Sequence, residues 1–198
     1  HGQGRWIEPF LGSGAVLFNV QPDYAIVNDI NPHIIRLYQM IYEGKIFPET
    51  VRKYLTEEGK KLLLKGEDYY YFVRERFNKS GDPLDFIFLN RSCFNGVMRF
   101  NKKGEFNVPY GRYANLNTSL VTKAHSKLLS NTEIYNLDYK NIFDMANEDD
   151  FMFLDPPYDC VFSDYGNAEY KDGFNEKNHT ELANSFLNLK CKALMVIG

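Results

Sequence analysis

Apolar runs of strand length alternate with helix-like segments along the first part of the chain. Residues 5–10 and 24–29 each hold a short apolar run, and amphipathic helical spacing follows each of them. Asn31 before Pro32 is a typical helix start, and Gly44 is a typical helix end. The order of strand, helix, strand and helix predicts an α/β domain with a parallel sheet.

The pattern changes in the middle of the chain and returns towards its end. Residues 46–79 have the pattern of charged helices, and Asp82 with Pro83 begins another helix. A β-hairpin is predicted where the segments MRFN and EFNV flank KKG. Strands are then predicted at 132–139, 150–154 and 192–197, with helices between them. We therefore predict a catalytic α/β domain formed by residues 1–46 and 131–198, with an inserted helical and hairpin module at residues 47–130.

Charge is distributed unevenly. The whole chain has a net charge of −3, but residues 91–112 hold five basic residues and one acidic residue, a net +4 that leaves −7 for the remainder. Much of the aromatic content, 16% of all residues, lies in or beside this segment. A local basic patch with aromatic residues is typical of a nucleic-acid-binding surface on an otherwise acidic protein.

Cysteine usage and hydrophobicity exclude several classes of protein. Cys93, Cys160 and Cys191 form no CxxC pair, so neither a disulfide framework nor a zinc site is predicted, and no metal is expected. No apolar run reaches membrane-spanning length. We predict a cytoplasmic protein. Both ends appear cut, because a strand begins almost at once and another ends the chain, so we expect a fragment of a longer protein.

Two motifs near the start predict an adenosine-containing ligand. Gly12 and Gly14 follow the first strand, where glycines let a ligand approach the backbone at a helix start. Asp29 ends the second strand, where a carboxylate can accept hydrogen bonds from ribose hydroxyls. Leu17 stands where a dinucleotide-binding motif has its third glycine, which argues against NAD. The alternatives are an ordinary tight turn and a surface acid that caps a helix.

The segment FMFLDPPY places chemical groups directly after a buried strand. Asp155 is a hydrogen-bond acceptor at the carboxyl end of the sheet, where open α/β folds bind ligands. Pro156 and Pro157 have no N–H, hold the loop rigid and leave carbonyl acceptors, and Tyr158 presents a flat ring. This set suits a planar group that carries an NH₂. The alternative is a proline-rich turn with a capping aspartate.

Four segments in this order resemble one enzyme family. EPFLGSG, NDIN, FLNRSCFNGVMRFNKKGEFNVPYGRY and DPPY are similar to motifs of the Dam-class (D12) DNA adenine-N6 methyltransferases. The segments YYYFVRERFN and LDFIFLNRSCFNG particularly resemble the EcoRV-type modification methyltransferases. The resemblance covers nearly the whole chain. It implies a Rossmann-like, S-adenosylmethionine-dependent sheet with an inserted DNA-recognition module.

The resemblance also implies an activity and the residues that serve it. Methyl would pass from S-adenosylmethionine, which leaves as S-adenosylhomocysteine, to the exocyclic amine of an adenine flipped out of double-stranded DNA. The target would be a site containing GAT (GATC or GATATC), as in restriction–modification systems. The expected catalytic residues are Asp155, Pro156, Pro157 and Tyr158. The expected cofactor-binding residues are Phe10, Gly12, Gly14, Asp29, Ile30, Asp138 and Tyr139. The expected DNA-binding residues are Arg91, Phe94, Asn95, Arg99, Lys102, Lys103, Pro109, Arg112 and Tyr113.

Two other functions are compatible with parts of this sequence. Family members carry a glycine- and lysine-containing segment before the first strand, and it is not found here, so the expected activity is that of the parent protein. A truncated or catalytically silent relative that only binds DNA is the main alternative. Related enzymes that methylate RNA or protein glutamine typically have Asn where Asp155 stands. No oligomer is indicated, and a monomer is expected.

Overall fold

The structure is a computed structural model that describes residues 4–101, 103–113, 115–118, 123–157 and 174–197. Five parallel strands form one sheet in the order β3-β2-β1-β4-β5. They are Trp6–Glu8 (β1), Ala25–Asn28 (β2), Thr132–Tyr135 (β3), Phe151–Leu154 (β4) and Lys192–Met195 (β5). The predicted parallel α/β sheet of Rossmann-like order is confirmed.

Helices connect the strands and form the middle of the chain. They are Ala15–Val20 (α1), Pro32–Tyr42 (α2), Pro48–Lys65 (α3), Glu67–Ser80 (α4), Pro83–Ser92 (α5), Lys123–Leu129 (α6), Tyr139–Asp144 (α7) and Glu176–Leu187 (α8). The side chains of Asn31 and Asp82 accept hydrogen bonds from first-turn N–H groups, so both predicted helix starts are confirmed. In the described ranges, no helix is long and apolar enough to cross a membrane.

The order of the strands changes direction at β1: β2 and β3 lie on one side of it in the sheet, and β4 and β5 lie on the other. Trp6 of β1 pairs with Ala25 of β2 on one side and with Phe151 of β4 on the other. The connection through α1 leads from β1 to β2, whereas α7 leads from β3 back past β1 to β4. The loops after β1 and β4 therefore leave the sheet in different directions. In open α/β sheets, this switch point is where a crevice opens at the carboxyl ends of the strands.

The inserted segment packs on one face of the sheet. A continuous apolar cluster joins Val27 of β2 and Ile35 of α2 to Val73 of α4 and Phe88 of α5, all nearly inaccessible to solvent. Burial of this shared apolar surface holds the insert against the sheet. The division into a catalytic domain and a recognition module stays a prediction, since the two parts share one core.

The predicted hairpin is present, although it is short. Phe100 and Phe106 form an antiparallel bridge, and the Asn101 N–H donates to the Glu105 carbonyl at 2.8 Å. Gly104 has a φ of 76°, which is the conformation that its place in the turn requires. The predicted DNA contact Lys102 lies outside the described residues.

A buried polar network ties three helices of the insert together. Arg76 of α4 donates two hydrogen bonds to Asp85 of α5, at 2.6 and 2.8 Å, and one to Glu58 of α3 at 3.0 Å. The Tyr54 hydroxyl bonds to Asp85, and the Tyr69 hydroxyl donates to Glu58 at 2.7 Å. Asp85 and Glu58 are only 2% and 4% exposed. Both carboxylates are thus paired and hydrogen-bonded, as buried charges must be.

Candidate active site

A cleft opens at the switch point between β1 and β4. Its volume is about 310 Å³, and its described lining comes mainly from the loops that follow β1, β2 and β4. The predicted site residues among this lining are Phe10, Gly12, Asp29, Ile30, Asp155, Pro156 and Pro157. The fold therefore gathers in one cleft two motifs that are more than a hundred residues apart in the sequence.

The Asp29 side chain holds the glycine loop by accepting a hydrogen bond from the loop's backbone. The Gly12 N–H donates to Asp29 Oδ2 at 2.8 Å, and the Asn31 N–H donates to Oδ1 at 2.8 Å. Gly12 has a φ of 52°, which disfavours any other residue, and its missing side chain leaves open space. Each carboxylate oxygen of Asp29 has a second lone pair. Asp29 thus orients the glycine loop and places its carboxylate in the lining of the cleft.

Gly14 serves the packing under the loop, and it is not among the described residues that line the cleft. It has a φ of 69°, and a Cβ built on it would lie 2.8 Å from the Tyr38 hydroxyl and from the Phe18 ring. The buried Tyr38 hydroxyl donates to the Ser13 carbonyl at 2.5 Å. The requirement for glycine at position 14 therefore comes from conformation and from the close approach of α2.

The acidic loop after β4 lies at the other side of the cleft. Asp155 is exposed, Pro156 is buried, and both line the cleft with Pro157. The side chain of Phe153, two residues earlier on β4, stacks on Trp6 with ring centroids 6.0 Å apart. Strand β4 is thus anchored by ring packing immediately before the loop. The predicted stacking residue Tyr158 lies outside the described residues.

Glu8 is a cleft residue that the sequence analysis missed. It ends β1, is 2% exposed, and accepts a hydrogen bond from Trp6 Nε1 at 2.6 Å. Burial raises the pKa of the Glu8 carboxyl to about 7; the Trp6 hydrogen bond opposes this shift and the Asp155 carboxylate adds to it. The signal in the sequence was an acid ending a buried strand, the same signal that drew attention to Asp29 and Asp155.

Glu8 should make the stability of the protein depend on pH. Its folded-state pKa of about 7 lies above its ordinary value of 4.5, so its contribution to stability is full at low pH and is lost as the pH rises through this window. We expect Glu8→Gln, which can still accept from Trp6, to become increasingly stabilising relative to the wild type between about pH 5 and about pH 8, by on the order of 3 kcal/mol in total.

Urea unfolding of both proteins across this pH range measures the difference. Comparison with the wild type cancels the titration of the other carboxyl groups. A difference that stayed constant with pH would show that Glu8 titrates normally.

The charge of the cleft restricts its ligand. The described lining includes the carboxyl groups of Glu8, Asp29 and Asp155, but no lysine, arginine or histidine. A phosphate-bearing ligand would be repelled by these acids, whereas a cationic ligand would be attracted. The charge favours a positively charged ligand without a pyrophosphate.

The buried Asn28 joins two loops at the edge of the cleft, and the sequence analysis missed it. Its Nδ2 donates to the carbonyls of Pro9 and Leu137 at 2.9 and 3.0 Å, and its Oδ1 accepts from the Leu137 N–H at 2.8 Å. This connects the loop after β1 with the loop that leads to the predicted cofactor residues at 138 and 139. Both polar atoms of the Asn28 side chain, Oδ1 and Nδ2, are thus engaged in fixing these loops.

Asp138 and Tyr139 lie at the start of α7, next to the cleft. Asp138 caps the helix by accepting from the Lys140 N–H at 2.9 Å. The buried Tyr139 ring packs against Phe10, with centroids 5.3 Å apart. Neither residue is among the described cleft lining. Tyr139 therefore affects the cleft indirectly, because its ring packs against Phe10, which lines the cleft.

Comparison with known proteins decides the family. The family model for "D12 class N6 adenine-specific DNA methyltransferase" matches residues 1–197. The chain belongs to this family. Type II methyltransferase M.CviBI of Paramecium bursaria Chlorella virus NC1A is 36% identical over 201 residues, which span 98% of this chain and 72% of that protein.

Further relatives come from an archaeon and a bacterium. Type II methyltransferase M.MjaIII of Methanocaldococcus jannaschii is 35% identical, over 93% of this chain and 69% of that protein. The DNA adenine methylase of Haemophilus influenzae is 33% identical, over 83% of this chain and 60% of that protein. The predicted enzyme class, an adenine-specific DNA methyltransferase, is thus confirmed.

Four predicted DNA contacts of this methyltransferase lie together on the insert. The Phe94 N–H donates to the Pro109 carbonyl at 2.9 Å, and the Asn95 N–H donates to the Tyr113 hydroxyl at 2.8 Å. All four residues are exposed. Asn95 has a left-handed φ of 52° within the turn Phe94–Gly96, and the Phe94 ring at the start of this turn is 54% exposed. An exposed ring on a conformationally defined turn is suited to contact a partner.

The predicted basic contacts differ in their surroundings. Arg99 donates through Nε to Asn107 Oδ1 at 2.8 Å, and Arg112 forms an exposed ion pair with Glu67 at 3.2 Å. Lys103 is exposed in the hairpin turn. Arg91 is half-buried, and its Nε has no hydrogen-bond partner among the described residues.

One side chain connects the hairpin with the cleft. Met98, which immediately precedes Arg99, is part of the cleft lining. The sequence carries no signal for Met98 as a site residue, because methionine has no catalytic group. The basic, aromatic surface and the acidic cleft of the methyltransferase are therefore contiguous.

Proposed function

We propose that this methyltransferase transfers a methyl group from S-adenosylmethionine to the exocyclic amine of an adenine that is flipped out of double-stranded DNA. One observation supports this most strongly: the Asp155–Pro157 loop and the glycine loop line one cleft, and the charged side chains among its described lining are all acidic. The first loop offers acceptors for an amine, and the second offers a site for an adenosine-containing donor.

The residues present in the cleft fit the proposed donor. S-adenosylmethionine, when bound, supplies a methyl group carried on a positively charged sulfur, and it has no phosphate. Asp29 provides negative charge for a cationic ligand and carboxylate oxygens that can accept from ribose hydroxyls. Gly12 leaves open space beside the loop. Phe10 provides an apolar ring at the side of the cleft that leads to α7.

Asp155 and Pro156 would act on the adenine amine. The lone pair of this amine is delocalised into the purine ring, so the nitrogen is a poor nucleophile. The Asp155 carboxylate and the Pro156 carbonyl can each accept one of its hydrogens, which favours a tetrahedral nitrogen whose lone pair is available. Positive charge then develops on the nitrogen next to a carboxylate, an interaction that strengthens in the transition state. The amine loses its proton after the transfer, so Asp155 need not be a strong base.

The exposed surface beside the cleft would bind the DNA. Base flipping is required because a duplex hides the adenine amine from the cleft. We assign Phe94 to the space that the flipped base leaves, with Asn95, Pro109 and Tyr113 as neighbouring contacts. Arg91, Lys102, Lys103 and Arg112 are proposed contacts to phosphates, which would make the affinity salt-dependent. Tyr158 is proposed to stack on the flipped base.

The resemblance to EcoRV-type enzymes guides the proposed target, a site that contains GAT. Arg99 is proposed to read a guanine through its major-groove edge. We expect Arg99→Ala to cost about 1–3 kcal/mol of discrimination at one base position. Binding measured on duplexes with each base of GATC and GATATC replaced in turn tests this. Equal weakening on specific and random DNA would count against base reading.

A methyl-transfer assay tests the proposed function. The purified protein is incubated with tritiated S-adenosylmethionine and duplexes that contain GATC, GATATC or neither. Label on adenine N6 in one of the GAT-containing duplexes is the expected result. Cofactor binding with label absent from all three duplexes would contradict the proposed target, and label on cytosine would contradict the proposed chemistry.

A further inference from the structure

Three side chains of α4 lie along the outer edge of the hairpin, the edge of its second strand that faces away from the first strand. Tyr70, Arg74 and Asn78 are spaced four residues apart, so they lie on one face of the helix. The Tyr70 hydroxyl and Arg74 Nη1 both donate to the Val108 carbonyl, at 2.7 and 3.2 Å. Asn78 forms two hydrogen bonds with the backbone of Phe106. We call these three residues the α4 row.

The hydrogen bonds of Asn78 replace those of a neighbouring strand. The Phe106 N–H donates to Asn78 Oδ1 at 2.8 Å, and Asn78 Nδ2 donates to the Phe106 carbonyl at 3.1 Å. Within the hairpin, the bonds to the first strand run from Asn101 to Glu105 and from Asn107 to Arg99, on either side of Phe106. The backbone groups of Phe106 therefore point to the outer edge, which the α4 row covers.

The hydrogen bonds continue from this edge to the proposed base-reading residue. Asn107 lies between Phe106 and Val108, the two residues that the α4 row holds. Its Oδ1 accepts from Arg99 Nε at 2.8 Å, its carbonyl accepts from Arg99 Nη2 at 3.3 Å, and its N–H donates to the Arg99 carbonyl at 3.2 Å. A displacement of the outer edge would thus move the guanidinium.

We propose that the α4 row consists of positioning residues for target selection, because it sets the direction of the Arg99 guanidinium through Asn107. This inference rests on the proposed base reading by Arg99. Bidentate recognition of a guanine depends on the direction of the guanidinium plane, so a small rotation reduces discrimination before it reduces binding. Asn78 itself is exposed, which separates its role from packing of the core.

Two variants test the α4 row without disturbing the fold. Asn78→Asp keeps the size of the side chain but places a carboxylate against the Phe106 carbonyl, and Tyr70→Phe removes only a hydroxyl. We expect each to lower the ratio of kcat/KM on the target duplex to that on a duplex with the guanine replaced, by about 3- to 10-fold. The kcat on saturating target DNA is expected to change less than about twofold.

A double-mutant comparison separates positioning from general damage. In an Arg99→Ala background, Asn78→Asp should cause no further loss of discrimination, because the guanidinium it positions is gone. Asn188→Asp serves as a matched control, since Asn188 is an exposed asparagine at the C-terminal cap of α8 whose Nδ2 donates to the Asn184 carbonyl at 2.8 Å. It should leave the discrimination unchanged.

The outcomes distinguish this inference from the proposed function. If Arg99→Ala lowers discrimination while Asn78→Asp and Tyr70→Phe leave it intact, the positioning role is wrong and base reading by Arg99 stands. A loss caused by Asn78→Asp that persists in the Arg99→Ala background also overturns the positioning role. If Arg99→Ala itself leaves discrimination unchanged, base reading is wrong and the inference fails with it.

Discussion

Replacement of Asp155 by alanine is expected to lower the rate of methyl transfer by at least about 100- to 1000-fold, the usual cost of losing a charge-stabilising group in an active site. The variant loses both the acceptor for an amine hydrogen and the negative charge that faces the developing positive charge. Asp155 is exposed at the rim of the cleft, so its removal should leave the fold intact. Single-turnover transfer of tritiated methyl to duplex DNA measures the rate.

Two comparisons make the Asp155 result specific. Asp155→Asn keeps one acceptor oxygen but loses the negative charge, so its rate should lie between those of the alanine variant and the wild type. Asp23→Ala removes an exposed aspartate beside β2 at the opposite edge of the sheet and should retain full activity. DNA binding should be retained by all three variants. Substantial turnover by Asp155→Ala would refute the assigned role.

Replacement of Asp85 by alanine is expected to destabilise the folded protein by about 2–3 kcal/mol, because it removes a buried carboxylate that accepts several hydrogen bonds and takes one ionic partner from Arg76, whose side chain is 37% exposed. Asp85 receives two hydrogen bonds from Arg76 and one from Tyr54, and burial is nearly complete. The loss would leave the Arg76 guanidinium paired only with Glu58. Urea unfolding followed by circular dichroism measures the free energy of unfolding.

A paired apolar replacement identifies the cause of the Asp85 effect. Arg76→Met combined with Asp85→Leu removes both charges of this pair, while Glu58 keeps its hydrogen bonds from Lys61 and Tyr69, so the double variant should recover part of the lost stability. Glu43→Ala breaks an exposed ion pair with Lys45 and should cause a negligible change. An Asp85→Ala protein as stable as the wild type would show that the network does not stabilise the insert.

The elements of the fold were largely predictable because their signals are local. Alternation of apolar segments predicted the five strands, and the caps Asn31 and Asp82 predicted two helix starts that the structure confirms. The turn glycine predicted the hairpin in the same way, although the structure contains a single bridge there. Strand lengths were overestimated, since residues 5–10 contribute only Trp6–Glu8 to the sheet. Strand ends depend on pairing with neighbours, which the pattern of one segment does not contain.

The residues missed in the sequence owe their importance to their neighbours. Glu8 is one of several acids at the end of a strand, and only its burial and the nearby Asp155 raise its pKa to about 7. Asn28 and Asn78 resemble ordinary polar residues, because the carbonyls that they bond to come from segments far away in the chain. Met98 lines the cleft only because the hairpin folds towards it.

The sequence by itself determined the class of the sheet, the loop chemistry of EPFLGSG and DPPY, and the family of the protein, since these depend on residue types at short spacing. The tertiary structure decided which loops meet. The order β3-β2-β1-β4-β5 brings Asp155 beside Gly12 and Asp29, although β1 and β4 are separated by the whole insert. It also decided that three acids share a cleft and that α4 covers the edge of the hairpin. Contacts between distant segments follow from packing and hydrogen bonding across the fold, and local patterns do not specify them.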